Sequence, residues 1–152
     1  MNIYAIDKLM AETRRLAAEY HRITGLVLPV SNELARHDVA TKLKFIVPQQ
    51  PDSGVDLLGT GLWEGKKIQV KSRVMFQKAK SRPRVGQLNF EGKWDFVILV
   101  LMNEDYVAKE MYITAREVLV KAVQGAASTN KERSTISVSK FKALSEVINF
   151  CE

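Results

Sequence analysis

The sequence predicts an α/β protein, with one mixed or antiparallel β-sheet flanked by helices. Three observations carry that prediction. Apolar residues at the N-terminus recur at helical spacing from Ile3 through Ile6, Leu9, Met10, Thr13, Leu16 and Ala17 to Tyr20. A series of short strand-like segments follows, and it includes the unbroken apolar run Phe96–Met102. Helix signals then return near the C-terminus. The resulting order of helix, helix, several strands, helix, strand, helix suits a sheet covered by helices.

Each element has a local cause. The first helix is expected over about residues 3–23, ending before Gly25. Ser31 is the expected N-cap of a second helix through about Leu43, with Leu34, Val39 and Leu43 on its apolar side. Phe45-Ile46-Val47 reads as a short strand stopped by Pro48 and Pro51. Further strands are expected at about 54–59 and 66–72, with Gly59, Gly61 and Glu64-Gly65 as turn signals between them. Residues 73–92 are basic and irregular, which predicts a long loop, or a loop with a short helix near Met75 to Lys80. Trp94–Leu101 reads as a buried central strand, and Lys109–Ile113 as another. Thr114-Ala115-Arg116-Glu117 has capping-box spacing ahead of Val118, Leu119 and Val123. Residues 124–134 read as a surface linker, and Ile136 and Val138 as a short strand. Ser139 is then expected to cap a final helix carrying Phe141, Leu144, Val147 and Ile148. No internal repeat or second domain is visible, so residues 1–152 are read as a single domain.

Composition narrows the function. The longest apolar run has seven residues, far short of the roughly 20 that a spanning helix needs. No basic region precedes an apolar block at the N-terminus, so no signal peptide is expected and the expected location is cytoplasmic. Cys151 is the only cysteine, and His21 and His37 are the only histidines, which excludes an internal disulfide and a zinc-type cluster. Residues 66–93 hold nine basic side chains and one acid, a net of +8, whereas the rest of the chain holds 14 basic and 16 acidic residues, a net of −2. Positive charge concentrated in one segment is the footprint expected for a polyanion. Its bland alternative is a solvated basic loop.

The densest chemistry lies in Gly54-Val55-Asp56-Leu57-Leu58 and Lys67-Ile68-Gln69-Val70-Lys71-Ser72-Arg73. A carboxylate on an apolar strand needs a partner, and Asp56 is such a carboxylate. Gln69 and Lys71 lie two apart, so a strand points both to one face. Twelve residues separate Asp56 from Gln69, so the two strands should be hairpin neighbours. An acid, an amide and an amine would then share one surface. Phosphodiester hydrolysis needs charge neutralisation and an activated water, both of which a divalent metal on oxygen ligands supplies. Taken singly, each residue favours a hydrated strand end or an exposed strand face; taken together with the basic segment, they favour a site.

Gly-Val-Asp, a short hairpin, then Ile-Gln-Val-Lys-Ser-Arg resembles the PD-(D/E)XK nuclease superfamily over roughly residues 25–120. Asp56 matches its strand aspartate, and Lys71 the lysine of its acid-X-Lys half-motif. Gln69 stands at the acid position, a departure from the commonest pattern. Glu33 matches the helical glutamate, with Asp38 the weaker alternative. The literal Pro51-Asp52 pair sits in a Pro/Gln loop and is not read as the motif. The resemblance implies a restriction-endonuclease-like fold, a central mixed sheet flanked by helices. It also implies DNA cleavage dependent on Mg²⁺ or Mn²⁺ held by Asp56, Gln69 and Glu33, with Lys71 assisting the water. No organic cofactor and no membrane are expected, and a homodimer is left open because no dimer seam is legible.

Arg73, Lys78, Lys80, Arg82 and Arg84 are the candidates for phosphate contacts. Gln87 and Asn89 are candidates for base edges, although loop amides are more often solvated. Phe76, Phe90 and Trp94 have faces for stacking, with core packing the stronger expectation for Trp94. Two other functions fit: a non-catalytic nucleic-acid-binding module on the same fold, and a subunit whose basic loop docks on an acidic protein.

Overall fold

The computed structural model describes residues 3–50, 52–77, 82–126 and 135–150. Its order is α1 (Ile3–Thr24), α2 (Ser31–Leu43), β1 (Leu57–Leu58), β2 (Lys67–Val74), β3 (Phe96–Met102), β4 (Ala108–Ala115), α3 (Arg116–Ala126), α4 (Val138–Leu144) and β5 (Glu146–Ile148). The fold is α/β: a five-stranded mixed sheet, ordered β1-β2-β3-β4-β5, flanked by helices. Only β2 and β3 run parallel; the other neighbours are antiparallel. A parallel pair needs a crossover; of the connection between β2 and β3, Val85, Leu88 and Trp94 pack against one face of the sheet.

Alternation along β3 divides the core. Ile98, Val100 and Met102 pack on one side with Leu34, Ala35 and Val39 of α2 and Ala17 and Ala18 of α1. Val97, Leu99 and Leu101 pack on the other with Val85, Leu88, Trp94, Leu119 of α3 and Phe141 of α4. Covering both faces explains why the β3 sequence is apolar throughout instead of alternating. Among the described residues, no helix is long and apolar enough to cross a membrane.

Several expectations are corrected. Val30 occupies the N-cap of α2, and Ser31 is already helical. The Ser72 hydroxyl on β2 lies 3.0 Å from Ser31 Oγ and 2.5 Å from Asn32 Oδ1, so this polar turn ties the helix to the sheet. Of the Phe45–Val47 strand, only an isolated bridge between Ile46 and Leu58 forms. Met75–Gln77 is not helical, and the rest of the suggested 75–80 helix lies outside the described residues. Thr114 belongs to β4 and donates to the Leu144 carbonyl at 3.4 Å instead of capping α3.

The C-terminal part differs most. Ser137, not Ser139, caps α4, accepting from the Lys140 N–H at 3.1 Å. Val138 begins that helix, and the backbone near Ile136 pairs with residues 83–85. Val147 and Ile148 lie on β5, paired with Tyr112 and Met111 of β4. A short β-branched run suits either a helix end or a strand. Here the free edge of β4 decides, because it satisfies the backbone and buries Ile148.

Asp38 has a structural role. Arg14 of α1 grips it through both nitrogens, at 2.7 and 3.2 Å, and also donates to the Tyr106 carbonyl. The carboxylate is buried, and this contact joins α1, α2 and the β3–β4 turn.

Candidate active site

Asp56 immediately precedes β1, where that strand separates from β2. Its N–H donates to the Ile68 carbonyl at 2.8 Å, while its Oδ2 accepts the Val70 N–H at 2.8 Å. The carboxylate thereby prolongs the ladder with a side-chain bond, which accounts for an acid in an apolar run. Its Oδ1 lies 3.6 Å from Arg36 of α2.

The next residues follow from the alternation of β2. Ile68 and Val70 pack with the α2 side of the core, so Gln69, Lys71 and Arg73 point to the other face. The segment 84–92 lies across that face. Arg73 Nε donates to the Arg84 carbonyl, and the Lys71 ammonium lies beside Gly86. Gln69 is only 7% exposed, and its Oε1 has no hydrogen-bond partner. A buried amide oxygen without a partner is costly and calls for a ligand or water. Burial pushes the Lys71 ammonium below its usual range, Asp56 pulls it back up, and Arg73 lowers it further.

Glu33 sits one turn before Arg36 on α2, exposed and ion-paired with it. Arg36 therefore touches both Glu33 and Asp56. The α2 acid meets the strand acid through a guanidinium. Among the described residues, no group of three or more His, Cys, Asp and Glu side chains gathers to hold a metal. The oxygen donors at the junction are the Asp56 carboxylate and Gln69 Oε1. Arg36 is the residue that sequence reasoning missed; its spacing from Glu33 was the available signal.

Glycine makes the close approach possible. At Gly54 (φ +74°), an added Cβ would lie 2.8 Å from the Trp94 ring, 3.2 Å from Gly92 Cα and 3.3 Å from Gln69 Nε2. Gly54→Ala should cost about 1–3 kcal/mol through left-handed strain and the displaced indole. Urea unfolding measures the loss, and an unchanged midpoint would contradict this packing.

The nucleic-acid candidates are only partly at hand. Arg73 and Arg84 each spend one donor inside the fold, Arg84 on the Thr135 carbonyl at 3.1 Å, while Arg82 is exposed. Lys78 and Lys80 lie outside the described residues. Asn89 folds its own loop: its carbonyl accepts from the Trp94 indole at 2.7 Å, and its Oδ1 from the Glu91 N–H at 3.0 Å. Gln87, Leu88, Asn89, Phe90 and Glu91 line a cavity of ≈ 480 Å³. Phe76 stacks on His21 at 4.0 Å, and Trp94 is fully buried, so both are packing residues. Phe90 lies 5.5 Å from Trp94, and Arg116 sits over both rings while donating to the Phe90, Gly92 and Trp94 carbonyls. Comparison with protein-family models and with curated proteins finds no match for this chain.

Proposed function

We propose that this chain is a metal-dependent DNA endonuclease with a restriction-endonuclease-like fold, its centre at the β1–β2 junction. The observation that carries the reading is the unpartnered, buried Gln69 Oε1 on the same strand face as Lys71, whose ammonium feels the charge of Asp56. A neutral amide oxygen and a carboxylate suit a hard divalent cation such as Mg²⁺ or Mn²⁺. Asp56 and Gln69 would hold it, with Glu33 available once Arg36 releases it. The cation supplies charge neutralisation and an activated water.

The chain's own groups do the rest. Lys71 places a positive charge where the transition state gains negative charge, in a half-buried setting that strengthens its effect. Arg36 balances Asp56 and Glu33 in the absence of substrate. Arg73, Arg82 and Arg84, with Lys78 and Lys80, would hold the phosphate backbone without reading sequence.

A second reading has its own support. Arg36 beside Asp56 and an amide at the acid position both weaken metal binding, as expected of a non-catalytic nucleic-acid-binding module. Supercoiled plasmid with Mg²⁺ or Mn²⁺ separates the two. Nicking that EDTA and Asp56→Ala abolish supports the nuclease. A salt-sensitive gel shift that ignores EDTA, without cleavage, supports the module. Absence of both cleavage and binding would defeat both readings.

A further inference from the structure

In the free protein a single guanidinium occupies both acids of the junction. Arg36 pairs through Nη2 with Glu33, one turn before it on α2, and its Nη1 lies 3.6 Å from Asp56 Oδ1. With the Lys71 ammonium, two positive charges stand against two carboxylates. A dication approaching that set gains little from net charge. The arrangement is also open to solvent. The Arg36 side chain is 41% exposed, that of Glu33 55% and that of Asp56 29%. Ion pairs this exposed are worth little, so they exchange readily for another anion. A phosphate is a fitting one, because a guanidinium meets its oxygens with paired donors.

We propose that Arg36 is a positioning residue that exchanges Asp56 and Glu33 for a DNA backbone phosphate, and so couples DNA binding to metal binding. The inference rests on the junction being a nuclease centre and describes how the substrate readies it. A phosphate seated at Asp56 and Lys71 meets the guanidinium that already lies against Asp56. Once Arg36 turns to that phosphate, both carboxylates are free for a divalent cation, and the buried Gln69 Oε1 still lacks a partner. The coupling is reciprocal: the factor by which DNA raises metal affinity is the factor by which metal raises DNA affinity. An arginine that merely tied α2 to the β1 end would do the opposite. Its loss would loosen the acids and weaken the metal.

Mn²⁺ titration of the full chain, read by loss of the free-ion EPR signal, tests the inference without any cleavage. Arg36→Met keeps the apolar stem and removes the charge. It should bind Mn²⁺ at least about 10-fold more tightly than wild type, with an unchanged far-UV spectrum. The double variant Arg36→Met/Asp56→Ala should lose that gain. In EDTA, Arg36→Met should bind a fluorescent DNA duplex about 3–10-fold more weakly, with a salt slope shallower by about one phosphate contact. If Asp56→Ala weakens Mn²⁺ binding but Arg36→Met does not tighten it, the coupling role falls and the nuclease centre stands. Duplex binding and salt slope unchanged in Arg36→Met have the same consequence. Mn²⁺ affinity indifferent to Asp56 removes the metal from the junction and overturns both.

Discussion

On the nuclease proposed above, Lys71→Met is expected to lower metal-dependent cleavage at least about 100-fold while leaving the thermal midpoint unchanged or higher. Methionine keeps the apolar stem and removes the ammonium. That ammonium is half-buried at the sheet face, and its burial outweighs the attraction of Asp56. A lysine whose pKa falls on folding holds its proton more tightly in the unfolded chain. The wild type therefore gains stability as pH rises through the window between the lowered folded value and the unfolded 10.5, and the gain is complete above 10.5. The variant lacks that gain. Tyr106 is shifted upward by burial, and Tyr112 first by its hydrogen bond to Glu110, so both titrate nearby with the opposite sign. Subtracting the variant's stability-against-pH curve from the wild type's isolates Lys71. Activity lost together with stability would make Lys71 a structural residue; activity retained in full would remove it from the centre.

Arg14→Met should destabilise the protein by about 3–5 kcal/mol, a large share of the roughly 5–15 kcal/mol that holds a domain together. The variant strands the Asp38 carboxylate, whose side chain is 9% exposed, without its two-nitrogen partner, and leaves the Tyr106 carbonyl without that donor. The double variant Arg14→Met/Asp38→Leu should recover part of the loss, since two apolar side chains replace a pair whose desolvation offsets its attraction. Urea midpoints of the two variants decide. If Arg14→Met costs less than about 1 kcal/mol, the contact is solvated and does not join α1 to α2. Asp38 faces Arg14 at the α1–α2 seam, which separates it from the junction where Asp56 lies.

The two acids of α2 illustrate how far sequence reasoning reached. Glu33 and Asp38 are five residues apart on one helix, so a one-dimensional pattern distinguishes them weakly. Helix rotation assigns one to the α1 seam and the other to solvent beside Arg36. The basic segment was legible as charge but not as structure: Arg73 and Arg84 stitch the crossover to β2 and to Thr135, which composition alone does not reveal.

The strand alternation of Ile68-Gln69-Val70-Lys71 by itself determined that an amide and an amine share a face, and the short hairpin brought Asp56 beside them. The apolar Phe96–Met102 run likewise determined a strand buried on both sides. These are properties of neighbours in the chain, set by the two-residue repeat of a strand and the reach of a turn. Only the tertiary structure decided that Arg36 stands between Glu33 and Asp56, that residues 84–92 cover Gln69 and Lys71, and that Val147 joins a strand. Each of those depends on which surface a distant segment must cover to satisfy its backbone and bury its apolar side, and no local pattern carries that information.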